Sequence, residues 1–145
     1  MENKRKILIV DDEAVIRQVL GTLLSIKGFS VIEAVDGKEA VESVEREHPD
    51  LVLMDLMMPN LDGFGACQTI RKDSANALMP ILIVTAKDKD SDIVHALGSG
   101  ADDYSLKPID GKELLEKIEN LFALKTQGIL PSQMYEKKRQ KRQLP

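Results

Sequence analysis

Tryptophan is absent, cysteine occurs once, aromatics make up 3% of the 145 residues, and no apolar run is long. Each shortage removes a class of protein. Cys67 has no partner within the chain, so no disulfide framework holds the fold and a reducing compartment, the cytoplasm, is expected. A lone thiol within a predicted helix reads as packing. The basic start, Met1-Glu2-Asn3-Lys4-Arg5-Lys6, leads into the apolar run Ile7–Val10, which ends in acids. That is far short of a signal-peptide core or of the roughly 18 apolar residues of a membrane span. With no tryptophan and two tyrosines, the chain lacks the stacking aromatics of a flavin site.

The length is that of one domain, enough to bury about 68–70% of the unfolded surface. The net charge of −4 conceals an asymmetry: residues 1–124 carry 14 Lys+Arg against 23 Asp+Glu, and residues 125–145 carry 6 against 1. An acidic body argues against direct DNA binding by the domain itself and suits one that holds cations. His48 and His95 have no partner at metal-ligand spacing and read as surface or structural residues.

Five apolar runs, Ile7–Val10, Val31–Ala34, Leu51–Met54, Ile81–Thr85 and Tyr104–Leu106, alternate with helical patterns. This is the signature of βα units around a parallel sheet. The first, third and fourth runs are continuous, as in strands covered on both faces. Ile16, Leu20, Leu23 and Leu24 share a helical face that Gly28 closes. Shorter helices are predicted around Ala40, Val41 and Val44, around Cys67 and Ile70, and around Ile93, Ala96 and Leu97. A fifth, through Leu114, Ile118, Leu121 and Phe122, has Asp110 as its cap.

Right-handed crossovers turn five such units into a sheet between two helical layers, with ligands bound beyond the carboxyl ends of the strands. Asp11 and Asp12 follow the first strand, Asp55 the third and Lys107 the fifth, while Thr85 ends the fourth. All five would face one rim although they lie up to 96 positions apart. Crowded carboxylates repel unless something positive sits among them. Mg²⁺ is the expected ion, since it takes one or two carboxylates, keeps waters and bridges to phosphate. Lys107 is the second positive charge. Ion and ammonium together would clamp a transferring phosphoryl group, or one carboxylate, Asp55 being best placed, would act as nucleophile. Thr85 would donate to a phosphoryl oxygen. A lone acid at a strand end is ordinary surface, so the inference rests on the strand ends taken jointly.

The stretches Ile7-Leu8-Ile9-Val10-Asp11-Asp12-Glu13, Val52-Leu53-Met54-Asp55-Leu56-Met57-Met58-Pro59-Asn60-Leu61-Asp62-Gly63, Ile81-Leu82-Ile83-Val84-Thr85-Ala86 and Gly100-Ala101-Asp102-Asp103-Tyr104-Ser105-Leu106-Lys107-Pro108 closely resemble the response-regulator receiver domains of two-component signalling. The resemblance covers residues 6 to about 124 and implies a flavodoxin-like α/β (βα)5 sandwich whose parallel sheet has the order 2-1-3-4-5. It implies that Asp55 accepts a phosphoryl group from a sensor histidine kinase or histidine phosphotransfer protein. Mg²⁺ would be held by Asp12, Asp55 and the backbone carbonyl of Met57, with Asp11 acting through water. Lys107 would pair with the phosphoryl group, Thr85 would follow it, and Tyr104 would turn in, switching the last βα units toward a downstream protein effector or a phosphorylation-dependent dimer. The chain would not be an enzyme beyond its own phosphorylation and slow dephosphorylation. The resemblance also implies a cis Lys107–Pro108 bond, and Met57 and Lys87, which depart from common family choices, would flank the hydrolytic water. Met57 and Met58 read as apolar lining, and Pro59 and Gly63 as backbone punctuation.

Two alternatives stand beside this one. A haloacid-dehalogenase-like Mg²⁺-dependent phosphatase would also use a strand-end Asp, a Thr and a Lys. It would carry two Asp two positions apart on the first strand, where this chain has Asp11 and Glu13, and it would turn over small phosphomonoesters repeatedly. The other alternative is a receiver segment of a longer regulator with its output module missing. Residues 125–145 are expected to be a basic tail or the start of a linker. Within them Lys137-Lys138-Arg139-Gln140-Lys141-Arg142 is either solvated or a contact for nucleic acid, anionic lipid or an acidic partner.

Overall fold

The computed structural model describes residues 4–134. Each apolar run of the sequence becomes a strand, and each patterned stretch between runs becomes a helix: β1 (Lys6–Val10), α1 (Ala14–Ile26), β2 (Ser30–Ala34), α2 (Gly37–Glu47), β3 (Leu51–Met54), α3 (Gly63–Lys72), β4 (Ile81–Thr85), α4 (Asp90–Gly98), β5 (Asp103–Leu106) and α5 (Gly111–Thr126). All pairings are parallel, in the order β2-β1-β3-β4-β5.

The continuous runs are explained by where their alternate side chains go. Leu8, Val10, Val52, Met54, Ile81 and Ile83 pack with Ala40, Val44, Cys67, Ile70 and Ala96, under α2, α3 and α4. Ile7, Ile9, Leu51, Leu53, Leu82 and Val84 pack with Leu20, Leu24, Leu114, Ile118 and Phe122, under α1 and α5. A strand buried on both faces has no polar phase, so alternation vanishes. Burying one such leucine or isoleucine contributes about 1.5–3 kcal/mol.

Helix ends follow the expected chemistry. Gly28, with φ of 93°, closes α1. The Asp110 carboxylate accepts from the N–H groups of Lys112 (3.0 Å) and Glu113 (3.3 Å), capping α5 as the sequence predicts. The boundary expected at residue 124 falls inside α5. Beyond that helix Gly128 (φ 79°) turns the chain, Leu130 is fully buried, and the Ser132 N–H donates to Asp102 at 2.9 Å. Residues 129–134 are thus packed on the domain. Two apolar residues, Ile129 and Leu130, between Gly128 and Pro131 carry no periodicity to announce this packing. The basic run Lys137–Arg142 lies outside the described residues.

Cys67 is fully buried among α3 packing, and burial pushes its thiol up to about 12. Since the thiolate is the reacting form, a thiol reagent at neutral pH is expected to modify no cysteine in the native protein and one per chain in denaturant. Rapid native modification, followed by absorbance, would show that the α3 face opens.

Candidate functional site

The sheet order reverses at β1, which has β2 on one side and β3 on the other. Ligand crevices of open parallel sheets form beyond the strand ends at such a point. Backbone pairing continues one residue past the strands: the Asp11 N–H donates to the Ala34 carbonyl (3.2 Å), that of Asp55 to Val10 (3.0 Å), and that of Lys107 to Thr85 (2.8 Å). Asp11 and Asp55 are thus held by the ladder itself.

Carboxylate oxygens of Asp11, Asp12 and Asp55 lie within 4.8 Å of one another. Asp11 and Asp55 are buried, whereas Asp12 is exposed at the lip. Lys107 Nζ donates to Asp11 Oδ2 at 2.8 Å and to Asp55 Oδ2 at 3.1 Å. The remaining oxygens are fixed by backbone. Asp11 Oδ1 accepts from the Glu13 N–H (2.9 Å), and Asp55 Oδ1 from the N–H groups of Leu56 (2.7 Å) and Met57 (3.4 Å). Burial alone would pull the Lys107 ammonium pKa down. The hydrogen bonds and charges of Asp11 and Asp55 outweigh it and hold the pKa above the usual lysine range. The ammonium is therefore fully charged at neutral pH.

Ile83 pairs with Met54, so Thr85 lies two residues further on, level with the loop that follows Asp55. It is buried, and among the described residues no hydrogen bond joins its hydroxyl to the carboxylates. Tyr104 is turned inward, its hydroxyl donating to the Lys87 carbonyl. Burial first, then the charges of Asp92, Asp55 and Asp88, push its phenol up to about 12. The Lys107–Pro108 bond is cis. Beside the cluster, on its Asp12 side, lies a shallow depression lined by Asp12, Leu56, Met57, Met58, Phe64 and Lys87. Met57 and Met58 do line it, although the Met57 side chain is 60% exposed. His48 closes α2 with a φ of 47°, and His95 stacks on Phe64, ring centroids 3.9 Å apart.

Arg17 of α1 was not legible as part of this region. Its guanidinium donates to the Asp11 carbonyl at 2.8 Å and pairs with Glu33 at 3.3 Å, tying α1 and β2 to the first acid. A lone arginine on a helix has no spacing signal that could have found it.

The donor set suits a hard divalent ion. It is all oxygen, and three carboxylates face a single ammonium. Asp12 has no ion pair among the described residues, which leaves negative charge at the open side of the cluster.

Residues 7–119 match the family model for the response regulator receiver domain. A probable transcriptional regulator, ycf27, of Porphyridium aerugineum is 52% identical over 119 residues, covering 82% of this chain and 48% of that protein. The response regulator MprA of Mycobacterium leprae is 45% identical over 117 residues, 81% of this chain and 50% of its own length. The chain spans about half the length of the curated relatives it matches. Among solved structures, a putative response regulator from Chloroflexus aurantiacus superposes with a TM-score of 0.80 at 30% identity, covering 83% of this chain and 99% of the other. The chemotaxis protein CheY4 of Vibrio cholerae gives 0.78 at 28%, covering 82% and 99%. No helix among the described residues is long and apolar enough to cross a membrane. With five parallel strands in the order 2-1-3-4-5 and acids gathered at the switch point, this chain belongs to the receiver-domain family of two-component response regulators.

Proposed function

We propose that the chain takes one phosphoryl group from a phosphohistidine of a sensor kinase or phosphotransfer protein onto Asp55, with Mg²⁺ required. The observation that carries this is the joining of Asp11, Asp55 and Lys107 through one ammonium, with Asp12 at the open lip. Asp12, Asp55 and the Met57 carbonyl would hold the ion, with Asp11 acting through water. Bound there, Mg²⁺ would supply positive charge to the equatorial oxygens of the phosphoryl group.

The chain's own groups do the rest. Asp55 Oδ1 is held by two backbone N–H groups, which leaves Oδ2 as the attacking oxygen. As the new O–P bond forms, the P–N bond to the donor imidazole breaks, and the imidazole nitrogen keeps the electron pair, any proton it then takes coming from solvent water. Lys107 sits beside Oδ2, placed to follow the arriving charge. Thr85 would offer its hydroxyl to a phosphoryl oxygen. Tyr104, already lodged against the Lys87 carbonyl, would register that movement in the β4–α4 and β5–α5 units, the surface offered to a downstream protein or a second copy. The cytoplasm is the compartment where such a donor would be met.

Incubation with a radiolabelled phosphohistidine donor is expected to leave at most one label per chain with Mg²⁺ and none with chelator. The label should leave slowly. Label acquired equally in chelator would overturn the metal role, and repeated turnover of a small phosphomonoester would favour the phosphatase instead.

A further inference from the structure

We infer that Asp36 and Asn60 form a latch between the β2–α2 and β3–α3 loops that positions the metal-facing backbone of the site. This rests on the proposed ion-binding role of Asp12, Asp55 and the Met57 carbonyl. Asp36 caps α2: its Oδ1 accepts from the Glu39 N–H at 2.8 Å. Its Oδ2 accepts from the Asn60 side-chain amide at 2.6 Å, across 24 residues of sequence. Asn60 stands at φ 68°, a left-handed conformation that asparagine tolerates better than most residues. One residue further along each loop, the Gly37 N–H donates to the Leu61 carbonyl at 3.0 Å. The loops approach so closely there that a Cβ at position 37 would lie 2.2 Å from the Leu61 oxygen. Side chain and backbone therefore clamp the same point.

The other end of the β3–α3 loop is clamped as well. The Gly63 N–H donates to the Leu56 carbonyl at 2.9 Å, and Asp62 caps α3 through the Gly65 N–H at 2.8 Å. Residues 57–59 hang between the two clamps, and Met57 is among them. Fixing Asn60 limits the directions in which the Met57 carbonyl can point. A hydrogen bond to a charged acceptor is among the strong ones, and the Asp36 carboxyl is held below the usual carboxylate range by the Glu39 N–H and the Asn60 amide. Both residues touch no reacting atom; they are positioning residues.

The test is Mg²⁺ affinity of the full chain, read by titration calorimetry without any phosphodonor, beside the thermal midpoint without Mg²⁺. Asn60→Gly keeps the left-handed backbone and removes the amide, and is expected to weaken Mg²⁺ roughly 10-fold, the lower end for groups that orient metal ligands. Asn60→Asp sets two carboxylates together and should weaken it at least as much. Combining Asp36→Asn with Asn60→Asp exchanges the two side chains. The amide now at position 36 can still cap α2 through its oxygen and donate its N–H to the carboxylate opposite, so wild-type affinity should return. Variants that bind Mg²⁺ as tightly as wild type, or an exchange that restores nothing, would overturn the latch while leaving the metal reading intact. A wild-type chain that takes up no Mg²⁺ would overturn both.

Discussion

Replacing Asp55 by asparagine is expected to abolish labelling by a phosphohistidine donor in the presence of Mg²⁺. The substitution conserves shape, puts an NH2 group in place of the attacking oxygen Oδ2 and removes the carboxylate charge. An amide oxygen can still accept from Leu56 and Met57, whose N–H groups hold Oδ1 at 2.7 and 3.4 Å. Lys107 keeps its 2.8 Å bond to Asp11, so no buried ammonium is stranded. The variant should fold as wild type does, with the same circular dichroism spectrum. A labelling loss without a folding loss separates acceptor from scaffold. Label retained at wild-type levels would refute the assigned acceptor.

Arg71→Met is expected to lower the unfolding free energy by about 3–5 kcal/mol, the usual loss when one member of a buried ion pair is removed. The site is at the opposite end of the sheet from Asp55. Arg71 Nη2 donates to Asp102 Oδ2 at 2.8 Å, and the Asp102 side chain is fully buried. The same guanidinium donates to the carbonyls of Gly100 (2.9 Å), Asn76 (2.7 Å) and Met79 (2.8 Å), joining the α3–β4 and α4–β5 connections. Asp102 also accepts from the N–H groups of Ile81 (2.9 Å) and Ser132 (2.9 Å), so its charge is not wholly stranded when the arginine goes. Those two bonds place the loss within that range rather than above it. Because burying the pair cost desolvation in the first place, the double variant with Asp102→Asn should recover part of the loss. Urea unfolding followed by circular dichroism measures both. A single variant within about 1 kcal/mol of wild type, the scale of an exposed pair, would show that the pair is effectively solvated.

The contrast between these two regions shows what kind of information a sequence carries openly. Asp11, Asp12, Asp55, Thr85 and Lys107 were legible because each follows or ends an apolar run, and parallel topology sends the ends of such runs to one rim. The two-sided burial of β1, β3 and β4 was legible because their apolar runs are continuous, with no polar phase. The pairs Arg71–Asp102 and Asp36–Asn60 join polar residues 31 and 24 positions apart that belong to no periodic pattern. Arg71 would read as an ordinary residue of a helix's last turn, and the other three as caps or solvated loop residues, until the loops were in place. Leu130 and Ser132 were hidden similarly, since the Pro131 and Gly128 around them signal only a turn. The inward Tyr104 is a further case: periodicity placed it on a strand but could not choose its rotamer.

Where the phosphoryl group resides can be read chemically. After transfer from a phosphohistidine donor in Mg²⁺, borohydride reduction converts an aspartyl phosphate to the corresponding alcohol, which peptide mass spectrometry can place. A single reduced site is expected, at residue 55, and only when Mg²⁺ was present. A modification at Asp11, Asp12 or any residue away from the β1–β3 crevice would contradict that assignment, as would a chain that takes up nothing.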